Sequence, residues 1–163
     1  MKIRGLRFAV LAMLVVAGCD GGSGDSDCEP LVENGATLHA DEGLRFLDGQ
    51  VLTDQDGRTT DLVCYVSGAS FDLKSRIRSG TTDRLPLHWF RDAGGKGIVY
   101  AGLDAVPDQA PTSDDANLFV NHPAVGYGFT VATPDSASYA RAWIEAVDAS
   151  GVTLQYQLHV ACE

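Results

Sequence analysis

The chain has 163 residues, 12 Lys plus Arg against 22 Asp plus Glu, and a formal charge of −10. That balance excludes a nucleic-acid binder, because phosphates demand a basic face. The apolar content of 45% is enough for one ordinary core, and no stretch beyond the N-terminal one approaches a membrane span in length.

The chain opens with a basic segment, Lys2, Arg4 and Arg7, followed by an apolar run of ten residues from Phe8 to Ala17. A bilayer-spanning helix needs about 20. A basic start with a short apolar core is the pattern of a secretory signal. Val16-Ala17-Gly18-Cys19 resembles the lipobox of bacterial lipoproteins: an aliphatic residue, two small ones that fit a narrow peptidase groove, then Cys. The resemblance implies that residues 1–18 are a signal peptide and that Cys19 carries the lipid (acyl chains such as palmitate) as the first mature residue. It also implies a membrane-anchored protein of the bacterial envelope, facing the periplasm or the exterior. Asp20 is similar to an inner-membrane retention signal whose rule varies between lineages, so the choice of membrane stays open. Removing the leader takes away three basic residues and no acid, which moves the formal charge from −10 to about −13. Such a domain is repelled by anionic lipid, which suits a spacer. Residues 19–27 supply one: from Asp20 to Asp27 the chain is Gly, Ser and Asp only, with nothing to bury against its ordering entropy.

Residues 28–163 form the single expected domain. Export places it in an oxidising compartment. With Cys19 lipidated, Cys28, Cys64 and Cys162 remain, enough for one disulfide and one thiol. Cys28–Cys162 would close the ends of the domain. Cys64–Cys162 is the alternative, and Cys64 within Asp61-Leu-Val-Cys-Tyr-Val66 is otherwise a small buried hydrophobe.

Short strands follow in order. GLRFL, QVLT, TDLVCYV and SFDLKS are separated by turn signals at Asp48-Gly49 and Asp56-Gly57. LPLHWF and GIVYAGL are expected to pair around AGGKG. The span from Val106 to Pro123 is a long connection, in which Ser113 or Asp114 is placed to cap one short helical turn. GYGFTVAT is a strand ending at Pro134-Asp-Ser-Ala-Ser138. In YARAWIEAVD, Tyr139, Trp143 and Val147 recur at helical spacing, but the short turn into the next segment favours a hairpin strand. In VTLQYQLHV, Val152, Leu154, Tyr156, Leu158 and Val160 alternate with polar residues, a half-buried strand that leaves His159 on the solvent side. The class is all-β: an antiparallel sandwich or open barrel of short strands, with one long loop and at most a short helix.

Chemistry-bearing motifs are few. Asp54-Gln-Asp-Gly57 lacks the later Glu of a calcium loop and fits a turn better. AGGKGI lacks the spacing and hydroxyl of a phosphate loop, and no Cys/His spacing forms a zinc site. Asp108, Asp114 and Asp115 are expected to be a solvated cluster. No serine sits in a nucleophile elbow, and no residue set argues for catalysis. Trp89, Phe90 and Trp143 are core aromatics or the lining of a cleft, with core favoured. The function expected is non-enzymatic binding of an unspecified small molecule or protein, with an envelope-interaction role or a hydrolase as the alternatives from other classes.

FLDGQVL, TTDLVCY and FTVATPDSASYARAWIEAV stand in the order of pieces found in secreted β-rich bacterial lipoproteins. The chain resembles that group, which includes HmuY-like haem-binding proteins, over most of residues 44–160. It departs at Thr60, where the group has Trp, and at the Pro134–Ser138 turn, where the group has a tighter Asp-Gly. The resemblance implies a β-rich fold and, through its haem-binding members, two haem-ligand candidates in the corresponding interval, His88 and His122.

Overall fold

The computed structural model describes residues 31–113, 119–134 and 138–160. Two five-stranded antiparallel sheets lie face to face. The first runs β1 (Leu31–His39), β10 (Gly151–Val160), β9 (Ser138–Val147), β8 (Gly128–Ala132) and β6 (Leu87–Trp89). The second runs β3 (Gln50–Thr53), β2 (Glu42–Arg45), β4 (Leu62–Ser67), β5 (Ser70–Ser75) and β7 (Phe119–Asn121). The sheets do not close on each other, so the architecture is a sandwich and not a barrel.

The inner faces follow from period-two patterning. Val152, Leu154, Tyr156 and Leu158 of β10 point inward, and Ala140, Ala142 and Ile144 of β9 pack beside them. Leu44, Leu62, Cys64 and Leu73 cover them from the second sheet. Tyr139 and Trp143, four residues apart, share a helix face but also share a strand face, so their spacing alone could not separate the two periods. The alternating small residues and the partner strand decide for β9. A bulge between Thr153 and Leu154 resets its register with β10.

Two expectations change. LPLHWF does not form a ladder with GIVYAGL: β6 pairs with β8, and the following segment makes only the isolated bridges Arg91–Gly97 and Val99–Tyr127. Asp92 accepts hydrogen bonds from the Gly94 and Lys96 amides, which tightens the intervening turn. A side chain at Gly97 would sit 2.7 Å from the Tyr127 ring, so this position needs glycine. A 3-10 turn lies at Leu103–Ala105, just before the long connection. Ser113 is in a turn, and the segment following it, Asp114 included, lies outside the described residues. β1 and β7 are additional strands that the sequence pattern did not mark.

Cys64 is a free, fully buried thiol. Burial, reinforced by Glu42, Asp41 and Asp72, pushes it up to about 12. Cys19, Cys28 and Cys162 lie outside the described residues.

Candidate binding cleft

Antiparallel register gathers six chain segments at one pole of the sandwich. Arg45 faces Gln50, Leu44 faces Leu62, and Leu62 faces Ser75 in one sheet. In the other, Val131 faces Leu87 and Val160 faces Ser138. Leu31, the first residue of β1, faces Leu158 at this same pole. Two clefts open there. One, of about 200 Å³, lies between Arg45 and Leu47 on one side and Thr133, Pro134 and Leu158 on the other. Its neighbour, of about 180 Å³, is lined by Arg76, Arg78, Ser79 and Leu85, and Pro134 belongs to both.

The walls combine apolar surface with fixed charge. Leu47 stands 77% exposed at the first cleft, a large aliphatic side chain with little cover of its own. Arg45 is held by Asp48: its Nε donates to Oδ1 at 2.9 Å, its Nη2 donates to Oδ2, and the same Nη2 donates to Gln50 at 2.8 Å. Asp61 is 2% exposed and lines the first cleft. Its Oδ2 accepts the Phe46 amide at 2.9 Å, while Oδ1 accepts no hydrogen bond and lies 3.8 Å from Arg76 Nη1. Burial raises the Asp61 carboxyl above its ordinary range, against the pull of the Phe46 amide and of Arg76. The Arg76 amide also donates to the Asp61 carbonyl, so the acid fixes this arginine through both backbone and charge. Among the described residues no acid pairs with the Arg78 side chain, which is exposed.

A second polar constellation lies on the outer face of the first sheet. Tyr139 donates to Asp108 and stacks on the His159 ring with centroids 5.0 Å apart. His159 Nδ1 lies 3.4 Å from Asp108 Oδ2, and its Nε2 is buried without a hydrogen bond. Arg141 donates to the Val106 carbonyl, and Trp143 Nε1 donates to the Tyr100 carbonyl at 3.1 Å. These bonds fasten the 100–108 loop over the sheet. His159 is therefore covered, with its side chain only 12% exposed, and Asp108 is a structural partner. The covered histidine differs from the expectation of a solvent-facing one, whereas Asp108 is exposed as expected and in addition accepts the Tyr139 hydroxyl. Strand alternation assigns a side chain to a face but carries no information about whether a loop covers that face. The His–Asp pair has the elements of a general base. Neither cleft at the pole includes it.

The haem candidates project from different sheets. His88 lies on β6 with Leu87 and Trp89 turned inward beside it, and its ring sits 4.6 Å from that of Phe90. His122 follows β7, is exposed, and has a left-handed backbone with φ 47°. Neither lines the clefts. Trp89 and Phe90 are buried, as a core reading requires, and Trp143 is half-buried beneath the loop. Among the described residues no group of three or more His, Cys, Asp or Glu converges on a metal position.

Sequence reasoning missed Arg45, Asp61, Arg76, Arg78 and Pro134. The only local signal was an acid abutting an apolar strand, Asp61 before Leu62, where a carboxylate needs a reason to be buried. The fold and this site together define an antiparallel β-sandwich with a charged-rimmed apolar cleft at one end. No family model, curated protein or solved structure matches the chain.

Proposed function

We propose that the chain is a membrane-tethered lipoprotein of the bacterial envelope whose β-sandwich binds a ligand, without catalysis, at the cleft pole. The observation that carries the reading is a coincidence of position. The domain is entered at β1, and Leu31 lies opposite Leu158, a residue lining the cleft. A lipid on Cys19 would attach to the domain through the intervening segment at that end. The lipobox residues Val16 to Cys19 and the basic, apolar leader support the tether. The cleft supports binding: apolar walls with a small number of fixed polar groups are the usual composition of a ligand pocket.

Labelled palmitate fed to a lipoprotein-competent bacterial host tests the tether. The chain incorporates label and fractionates with membranes, and Cys19→Ala abolishes both label and conversion to the mature form. Equal labelling of the variant contradicts the lipobox reading.

A further inference from the structure

We propose that the two clefts at the pole take one amphiphile: a single acyl chain lying between Leu47, Pro134 and Leu158, with an anionic head, carboxylate or phosphate, on Arg76 and Arg78. This inference rests on the binding role proposed above and names its ligand class.

Three features converge. The first is the division of chemistry between adjoining clefts. On one side of Pro134, Leu47 and Leu158 contribute carbon surface beside Arg45, whose guanidinium is taken by Asp48, and the buried Asp61, while Arg76, Arg78 and Ser79 contribute donors beside Leu85 on the other. A ligand spanning both needs an apolar end and a hydrogen-bond-accepting end. The second is charge. The domain is strongly acidic, yet two arginines separated by one residue face one cleft. One of them is unpaired among the described residues, and the other meets Asp61 only at 3.8 Å. Arg76 thus keeps hydrogen-bonding capacity for an incoming anion, and Asp61, anchored by the Phe46 amide, sets its position. A cationic head would meet these arginines instead and be repelled. The third is size. Cavities of about 200 and 180 Å³ together reach only the lower end of the roughly 300–1,000 Å³ of ligand pockets. At roughly 30 Å³ per water-sized unit the apolar cleft holds on the order of seven such units. This suits one short chain and not a two-chain lipid buried whole.

The experiment is a calorimetric titration of the full chain in zwitterionic nanodiscs, with empty discs as blank, using decanoate, decylamine and decanol below their aggregation limits. Decanoate saturates one site, and the amine and the alcohol bind at least tenfold more weakly. Arg78→Gln, an exposed substitution that leaves the fold intact, weakens decanoate about tenfold, and Leu47→Asn weakens acid and alcohol alike. An amine that binds as tightly as the acid, an Arg78→Gln chain that binds decanoate unchanged, or no saturable site overturns the proposal. Competition with phosphatidylglycerol vesicles separates two sources of the same chemistry. Displacement of decanoate assigns the head to a bilayer lipid inserting one chain, and its absence assigns a free acid; both keep the anionic-chain reading. The titration does not depend on Cys19, so its failure and a failure of palmitate labelling are separate results.

Discussion

Asp54 organises the loop between β3 and β4, and replacing it by Asn should destabilise the domain by about 2 kcal/mol. The side chain belongs to a residue only 5% exposed and accepts four hydrogen bonds. Oδ1 takes the Arg58 amide at 3.1 Å, and Oδ2 takes the Thr59 amide at 3.0 Å, the Thr60 amide at 2.8 Å and the Thr60 hydroxyl at 2.7 Å. Thr60 is itself wedged against Gly43, where an added Cβ would collide with Thr60 Oγ1 at 1.8 Å. Burial opposes the charge on Asp54, but the Thr60, Arg58 and Thr59 donors outweigh it and hold the carboxyl at about 2 against an ordinary 3.8. A displacement of nearly two pH units at about 1.4 kcal/mol each gives roughly 2 kcal/mol. Because the folded-state value is depressed, this stability is present above the unfolded value and is lost as pH falls from about 4 toward 2. Asn keeps one oxygen but turns an NH₂ toward backbone donors. Urea unfolding of wild type and Asp54→Asn at pH 7 and across the acid range measures both effects. A variant within 0.5 kcal/mol of wild type at pH 7, with an unchanged acid slope, would refute the reasoning.

Further outcomes follow from the same physics. Burial, with Arg141, lowers the His159 imidazole below its ordinary 6.5 despite Asp108. The unfolded chain then takes the proton first, so stability falls as pH drops below about 6.5. His159→Asn flattens this slope in urea titrations at pH 7.5 and 5.5, and an unchanged slope contradicts the covered-histidine account. Asp61→Ala leaves the buried Phe46 amide unpaired and should cost about 1–3 kcal/mol more than Asp61→Asn, which keeps an acceptor; equal midpoints in urea would show that the Phe46 bond contributes nothing. Cys64 should resist iodoacetamide at pH 8 in the folded chain and react once unfolded, as peptide mass mapping would show; rapid native labelling would place it outside the core. A haemin titration should show no sharpened Soret band that both His88→Ala and His122→Ala weaken, because neither residue lines a cleft at the pole. A band weakened by each would support the haem reading implied by resemblance.

Patterning was clearest where a strand has an uninterrupted buried face, while the fully exposed β3 was marked by the turn signals on either side of it. β10 was legible because Val152, Leu154, Tyr156 and Leu158 all meet the core. β1 was not, because Glu33, Asn34 and Gly35 interrupt any alternation, and a register shift between Leu31 and Asn34 compensates for the break only through pairing with β10. β7 spans three residues, too few for a period, and is defined by its pairing with β5. The site was less legible still. Arg45, Asp61, Arg76, Pro134 and Leu158 are neighbours only because two sheets with particular registers end at one pole. No local motif encodes that meeting. The His159 error had the same origin, since the loop that covers it comes from residues some fifty positions earlier.

The central claim, that the pole where β1 begins is the binding end, is tested most directly by hydrogen–deuterium exchange of the full chain in zwitterionic nanodiscs with and without saturating decanoate. The account predicts added protection confined to Phe46–Asp48, Arg76–Ser79 and the last residues of β10 around Leu158. Protection at the opposite turns, around Asp41, Gly68 and Ser150, or no change at any amide, would contradict it.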